Sequence, residues 1–184
     1  GLLAKQSSGS VLVRYEDTVV LVAVNASSKP PVGLGYFPLS VEYREKSYAG
    51  GKIPGGYFKR EGRPAEKEII AARLTDRAIR PLFPKEFQCD TQVFINLLST
   101  DQENPADILG SIGTSMALML SDLPWSGPIS TVRLGFVDGK TLLNPTYTEL
   151  ESSQLDLIIS GNQDSVIMIE GEAKEISEED LLTA

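Results

Sequence analysis

Along residues 9–26 apolar and polar positions alternate as in an extended chain. Val11 and Val13 fall on one face and Leu12 on the other, and after Tyr15-Glu16-Asp17 the run Thr18-Val19-Val20-Leu21-Val22-Ala23-Val24 is apolar on both faces. This predicts a hairpin whose second strand is buried on both sides. Two Pro and two Gly make residues 29–35 a loop, and Tyr36 to Tyr43 is a further strand. Gly and Pro punctuate residues 47–64 so densely that a long loop is expected. A helix follows from Ala65 to Arg80, with acids Glu66 and Glu68 in its first turn, Ile70 and Leu74 four apart and a stop at Pro81.

The second half repeats the alternation of strand and helix. Gln92 to Ser99 is a buried strand, and Pro105 suits the first position of a helix running from Ala106 to Ser121. Ile108, Ile112, Met116, Met119 and Leu120 form its apolar stripe, expected to be core, and Gly110, Ser111, Gly113, Ser115 and Ala117 allow close approach to a sheet. Thr131 to Val137 and Thr141 to Leu143 flank an Asp138-Gly139 turn, the strongest short hairpin signal in the chain. Strands at Leu155 to Ser160 and Val166 to Glu170 complete the pattern. Ser177 with Asp180 three residues later opens a last helix, inside which the chain ends. Neither a repeat nor a low-complexity segment interrupts the order, so residues 1–184 are expected to form one α+β domain, a mixed β-sheet packed with helices.

Composition narrows the chemistry. With no histidine, the commonest general base, the usual serine and cysteine triads and most zinc sites are excluded. The lone Cys89 has neither a disulfide partner nor an imidazole to activate it, which suggests an ordinary thiol in a reducing compartment. No apolar run reaches the roughly 20 residues needed to span a bilayer, so no membrane association is expected. A chain that opens without Met, directly into Gly1-Leu2-Leu3, reads as a piece of a longer protein.

Charge is unevenly placed. The net charge is −8, yet residues 44–85 hold 11 of the 17 Lys and Arg against five acids. Within that basic island, Tyr57, Phe58, Lys59, Arg60 and Arg63 join two aromatic rings to three cations on a Gly-rich backbone. Single-stranded nucleic acid needs that combination, since rings offer every base a stacking face and cations neutralise the intervening phosphates. Composition alone leaves a second reading open, in which the rings tuck into the core and the cations are merely solvated. Arg73, Arg77 and Arg80 share one helical stripe and could extend a phosphate track or pair with Asp76 and neighbouring acids. Glu170, Glu172, Glu175, Glu178, Glu179 and Asp180 lack the spacing and glycine of a calcium loop and read as a solvated face. Neither a P-loop nor a GxGxxG motif is present.

The run from Ala49 to Pro64, Ala-Gly-Gly-Lys-Ile-Pro-Gly-Gly-Tyr-Phe-Lys-Arg-Glu-Gly-Arg-Pro, resembles the RNA-binding Phe-Phe-Arg-Arg segment of the polynucleotide phosphorylase family. The run from Arg73 to Pro84 resembles that family's next helix and its exit. Gly9-Ser10-Val11-Leu12-Val13, Asp17-Thr18, Ser121-Asp122-Leu123-Pro124-Trp125, Gly127-Pro128, Asn144-Pro145-Thr146 and Leu155-Asp156-Leu157 occur in family order, so the likeness covers nearly the whole chain. The resemblance implies an RNase PH-like core of the ribosomal protein S5 domain 2 type. It also implies a parent enzyme that uses inorganic phosphate to release nucleoside diphosphates from the 3′ end of single-stranded RNA. By the same likeness the parent carries two such cores, a helical linker and KH and OB-fold domains, requires Mg2+, forms a homotrimeric ring, joins RNA-degradation complexes, and works in the bacterial cytoplasm or in an organelle. Phe58, Arg60 and Arg63 would grip RNA, with Tyr57 and Lys59 standing where the family more often has Phe and Arg. Lys keeps the charge but loses the bidentate fork.

Departures from the family pattern point to the first, non-catalytic core. Where active cores cradle the attacking phosphate with Gly, Ser or Thr, this chain reads Asn104-Pro105-Ala106-Asp107, and Ile158 stands where they carry Lys. Pro removes a backbone donor and Asp repels an anion, so a self-sufficient enzyme is disfavoured and no catalytic or metal-binding residue is assigned. The alternative is a purely structural core that builds the trimer while other domains hold RNA.

Overall fold

The computed structural model describes residues 2–55 and 62–183. The expected hairpin forms from β1 (Gly9–Tyr15) and β2 (Thr18–Ala26), with Glu16 taking a positive φ of 50° in the turn. The next strand, β3 (Leu39–Glu45), starts three residues later than the pattern suggested, because Pro38 holds the entry. Helix α1 (Glu66–Ile79) follows, then β4 (Thr91–Ser99) and α2 (Ala106–Met119), which begins one residue after Pro105 at its N-cap. Strands β5 (Ser130–Val137) and β6 (Lys140–Leu143) form the Asp-Gly hairpin. Helix α3 (Tyr147–Ser152), β7 (Leu155–Gly161), β8 (Val166–Ala173) and α4 (Glu178–Thr183) complete the chain.

Two four-stranded sheets result, ordered β1-β2-β4-β3 and β6-β5-β7-β8. In the first, β3 runs parallel to β4, the crossover being α1; the second is wholly antiparallel. Helices α1 and α2 lie between the sheets, and one apolar core runs through both, from Val20, Val22 and Val24 to Ile158 and Met168.

The small residues of α2 explain how one helix serves two sheets. Ala106, Gly110, Gly113 and Ala117 form the stripe against the first sheet. A Cβ on Gly113 would come within 2.7 Å of Val22 Cγ2, and one on Gly110 within 2.8 Å of Ile95 Cγ2, so glycine sets the approach distance. Toward the second sheet a buried relay of hydroxyls links Ser111 to Thr131 at 2.7 Å and Thr131 to Ser160 at 2.8 Å, while Ser115 Oγ accepts the Ile129 N–H. These bonds satisfy polar groups that would otherwise cost free energy in the core. The stripe expected to be core is the third face. Ile108 is buried, but Met116, Met119 and Leu120 are exposed by 49, 48 and 62%. Sheets occupy two flanks of α2, and this flank is left open.

Candidate nucleic-acid interface

The segment that carries the aromatic and basic motif begins and ends at fixed points. Tyr57, Phe58, Lys59 and Arg60 lie outside the described residues, whereas Arg63 lies within them and is exposed. On the incoming side a short 3-10 turn at Ser47–Gly50 follows β3, with Gly51 at φ 68° and Ala49 O accepting the Thr100 N–H. On the outgoing side Glu68 does two jobs with one buried carboxylate. Its Oε1 accepts the N–H of Glu45 at 2.8 Å and its Oε2 that of Ala65 at 2.6 Å, so the end of β3 and the start of α1 are tied together. Arg44 Nη2 donates to Gly62 O at 3.3 Å, tying β3 to the approach to α1. Tyr48 is an exposed ring and Lys52 an exposed cation beside this segment. Sequence reading passed over Tyr48, because one Tyr outside a dense motif carries no pattern.

The arginine stripe of α1 separates into three fates. Arg80 pairs with Asp76 through two bonds, Nε to Oδ2 at 2.9 Å and Nη2 to Oδ1 at 2.6 Å, and also donates to Phe37 O and Leu39 O. Arg77 pairs with Glu170 on β8 rather than with Asp76. Arg73 is exposed and has no hydrogen bond or ion pair among the described residues. On the neighbouring flank Lys67 Nζ donates to Tyr147 Oη at 2.8 Å and lies 3.1 Å from Glu45 Oε1, while Tyr43 Oη donates to the same oxygen at 2.8 Å. Burial, reinforced by Glu45, drives the Tyr43 hydroxyl well above its ordinary range, so this network stays protonated at Tyr43.

At the N-terminus of α2 the structure places a salt cluster. Arg133 from β5 sends Nη2 to Asp107 Oδ2 at 3.1 Å and Nε to Asp156 Oδ1 at 2.9 Å, and its side chain is 11% exposed. Although Arg133 Nε and Asp156 Oδ1 lie within ion-pair distance, they do not align as a hydrogen bond. Burial raises the Asp156 carboxyl, and Asp107 and Glu172 push the same way against the lowering effect of Arg133. Just before, Asp101 Oδ1 accepts the N–H groups of Glu103 and Asn104, and Oδ2 the Asn104 side-chain amide. The Arg133 cluster lines a cleft of about 560 Å³ to which Glu66, Glu170 and Glu172 add carboxylates and Lys67 an ammonium, with Ile158 contributing only hydrocarbon. The cleft thus holds one guanidinium between two carboxylates, with three further acids and Lys67 around them. Pro105, Asp107 and Ile158 were visible in the sequence; the third partner, Arg133, was not.

Comparison with known proteins defines the class. Residues 1–124 match the model for the 3′ exoribonuclease family, domain 1, and residues 127–184 that for its domain 2. The chain belongs to this 3′ exoribonuclease, or RNase PH, family. Over its whole length it is 56% identical to the polyribonucleotide nucleotidyltransferase of Thermus thermophilus, 55% to that of Heliobacterium modesticaldum and 53% to that of Thermomicrobium roseum. It spans 26, 26 and 23% of those proteins, about a quarter of their length. The fold is shared with rice (Oryza sativa) Rrp46, at a TM-score of 0.76 and 16% identity over 98% of this chain and 81% of that one. It is shared also with a chain of the Archaeoglobus fulgidus exosome with RNA bound to the active site, at 0.68 and 21% over 99 and 79%. Among the described residues no helix is long and apolar enough to cross a membrane.

Proposed function

We propose that this chain is the RNA-guiding, non-catalytic first core of a polyribonucleotide nucleotidyltransferase, a phosphate-dependent 3′-to-5′ exoribonuclease that releases nucleoside diphosphates. The observation that carries the non-catalytic half is the Asp107–Arg133–Asp156 cluster. In a core that attacks RNA with phosphate, the helix N-terminus must receive an anion. Here Asp107 stands in the first turn of α2, and the nearest guanidinium is already neutralised by two carboxylates. The same corner does not suit the Mg2+ expected of the parent enzyme, because Asp107 and Asp156 are both directed at Arg133 and Ile158 offers no ligand. The metal and the attacking phosphate therefore belong to another part of the parent.

The guiding half rests on the basic island and on its anchoring. Arg63, Lys52 and Tyr48 are exposed around the motif, the Thr100 N–H bond to Ala49 O holds its incoming side, and Arg44 and Glu68 hold its outgoing side. A segment held at both ends and rich in rings and cations between them suits a strand that must slide rather than bind one sequence. Assembly into a homotrimer has separate support in the open apolar flank of α2. A helix with a single charged residue, Asp107, over 14 positions needs cover on every side.

The test uses poly(A) and inorganic phosphate. The isolated 184-residue chain is expected to release no ADP, and the complete natural protein that carries it is expected to release ADP in proportion to phosphate. Phosphate-dependent ADP release by the isolated chain would overturn the non-catalytic assignment.

A further inference from the structure

Two threonines on the helices between the sheets treat their hydroxyls differently. Thr114 Oγ1 on α2 donates to Gly110 O at 2.8 Å, the usual way for a helical threonine to satisfy itself. Thr75 on α1 is as deeply buried, at 2% exposure, yet its hydroxyl makes no hydrogen bond among the described residues. A buried hydroxyl left unpaired costs stability, so a partner for it is required.

Thr75 lines a cavity of about 10 Å³ enclosed by α1, α2 and the second sheet, whose other polar walls are Asp107, Ser111 and Thr131. Asp107 and Ser111 stand four residues apart on α2 and so share one face. The space is at the lower limit of what holds one water, roughly 10 to 15 Å³. Ala71, Leu74, Asp107 and Ile158 line both this cavity and the cleft beside Arg133, so the cleft is the way in from solvent.

The hydroxyl relay has an open end at the same place. Ser111, Thr131 and Ser160 are joined by two bonds, of 2.7 and 2.8 Å. Three hydroxyls carry three protons, and the two bonds use two of them. If the relay runs toward Ser111, the proton of Ser111 has no acceptor among the described residues. If it runs the other way, the lone pairs of Ser111 are unfilled. Asp107 also keeps acceptor capacity, since its oxygens take only the Ile108 N–H and the Arg133 guanidinium.

These needs select the occupant. Hydroxyls dominate the lining and Asp107 is already neutralised by Arg133, so a cation gains little here. Among the described residues no group of three or more Asp, Glu or Cys side chains could hold a metal ion. Water donates and accepts, fits the space, and finds three to four polar partners, the usual complement of a buried water.

We infer that the cavity among Thr75, Asp107, Ser111 and Thr131 is a binding site for one internal water. It accepts or donates at Ser111 as the relay demands, donates to Asp107 and satisfies Thr75. Through it α1 joins the chain of hydroxyls that links α2 to β5 and β7, a second polar tie from α1 to that sheet besides Arg77 with Glu170 on β8.

The experiment is a crystal structure of the complete natural protein, at a resolution that shows ordered water, for the parent, Thr75→Ser and Thr75→Val. Valine keeps the shape of threonine without its hydroxyl. The parent and the serine variant are expected to hold one water within hydrogen-bond distance of the residue 75 hydroxyl, Ser111 Oγ and an Asp107 oxygen; the valine variant is expected to lose it. Hydrogen exchange read by mass spectrometry is expected to be faster along α1 in the valine variant than in the serine variant. An empty cavity in the parent, or a Thr75 hydroxyl turned onto Ala71 O, overturns the inference. A valine variant that keeps the water and exchanges like the parent overturns the assignment of Thr75 as its ligand.

Discussion

Arg133 reaches from β5 to the first turn of α2, where its Nη2 lies 3.1 Å from Asp107 Oδ2, and on its other flank its Nε lies 2.9 Å from Asp156 on β7. One guanidinium thus joins the helix that packs on the first sheet to two strands of the second. Removing it leaves two carboxylates without compensation. Arg133→Met is expected to lower unfolding free energy by about 3 kcal/mol, the lower bound for a broken buried pair because Asp156 is partly solvated. The double variant Asp107→Asn, Arg133→Met is expected to recover part of that loss, since one stranded charge disappears. Urea unfolding of the three proteins measures both; equal losses for the single and double variants would remove the cluster as a source of coupling.

Asp101 gives the fold a pH dependence. Burial acts to raise its carboxyl, but the hydrogen bonds from Asn104, Glu103 and Thr18 outweigh it and hold the group well below the usual carboxylate range. A depressed folded pKa means that its stabilising contribution is fully present above the unfolded value, about 4, and is lost as pH falls through the folded value. Asp101→Ala is expected to be about 1 kcal/mol less stable at pH 7, a small figure because the loop is solvated, and the gap is expected to narrow steadily below pH 4. Asp156 has the opposite sign. Its raised pKa makes the folded state the stronger proton binder, so its ionisation penalty is fully present above the folded pKa and is relieved as pH falls through it. Thermal unfolding from pH 3 to 7 separates the two contributions.

The two glycine contacts at α2 are expected to respond in order. Gly113→Ala gains helix propensity but drives a methyl against Val22 and Val13, whose side chains can shift a little. A net loss of about 1 to 2 kcal/mol is expected. Gly9→Ala drives its methyl into the Ala117 carbonyl, which is backbone and cannot turn aside. It is expected to cost more than Gly113→Ala, and chemical denaturation of both variants checks the order.

The open flank of α2 is expected to matter for assembly and not for the isolated fold. Met116→Lys and Met119→Lys replace half-exposed side chains, so unfolding of the single chain should change by no more than about 0.5 kcal/mol. In the complete natural protein the same changes are expected to shift the proposed trimer toward smaller species in sedimentation. A trimer indifferent to both substitutions would show that this flank is solvent-facing in the assembly.

Local pattern made most of the architecture legible. The 18–26 and 91–99 strands are apolar runs between turn residues, and Asp138-Gly139 announced its hairpin. Helix α3 was missed although Thr146 and Glu149 form a capping box, because the segment is short and lies between two strands that dominate the pattern. The exposed flank of α2 was misjudged for a different reason. Periodicity identifies an apolar stripe but cannot tell that two sheets already cover the other flanks through glycine, alanine and serine. At the site, Pro105, Asp107 and Ile158 were legible as departures from the pattern of active cores. Arg133 stands 26 residues from Asp107, and only the packing of α2 against β5 brings the two together. Likewise Arg73, Arg77 and Arg80 looked equivalent on one stripe; which of them is free depends on where β8 places Glu170 and on Asp76 turning to Arg80.

Whether the basic and aromatic motif grips the strand is decided by titrating single-stranded RNA against the complete natural protein and its Phe58→Ala, Arg60→Ala, Arg63→Ala variant at several salt concentrations. The variant is expected to bind at least tenfold more weakly, from one lost stacking contact and two lost cations, with a salt slope shallower by about 1.4. Equal affinity and an equal slope in the two proteins would contradict the guiding role at its root.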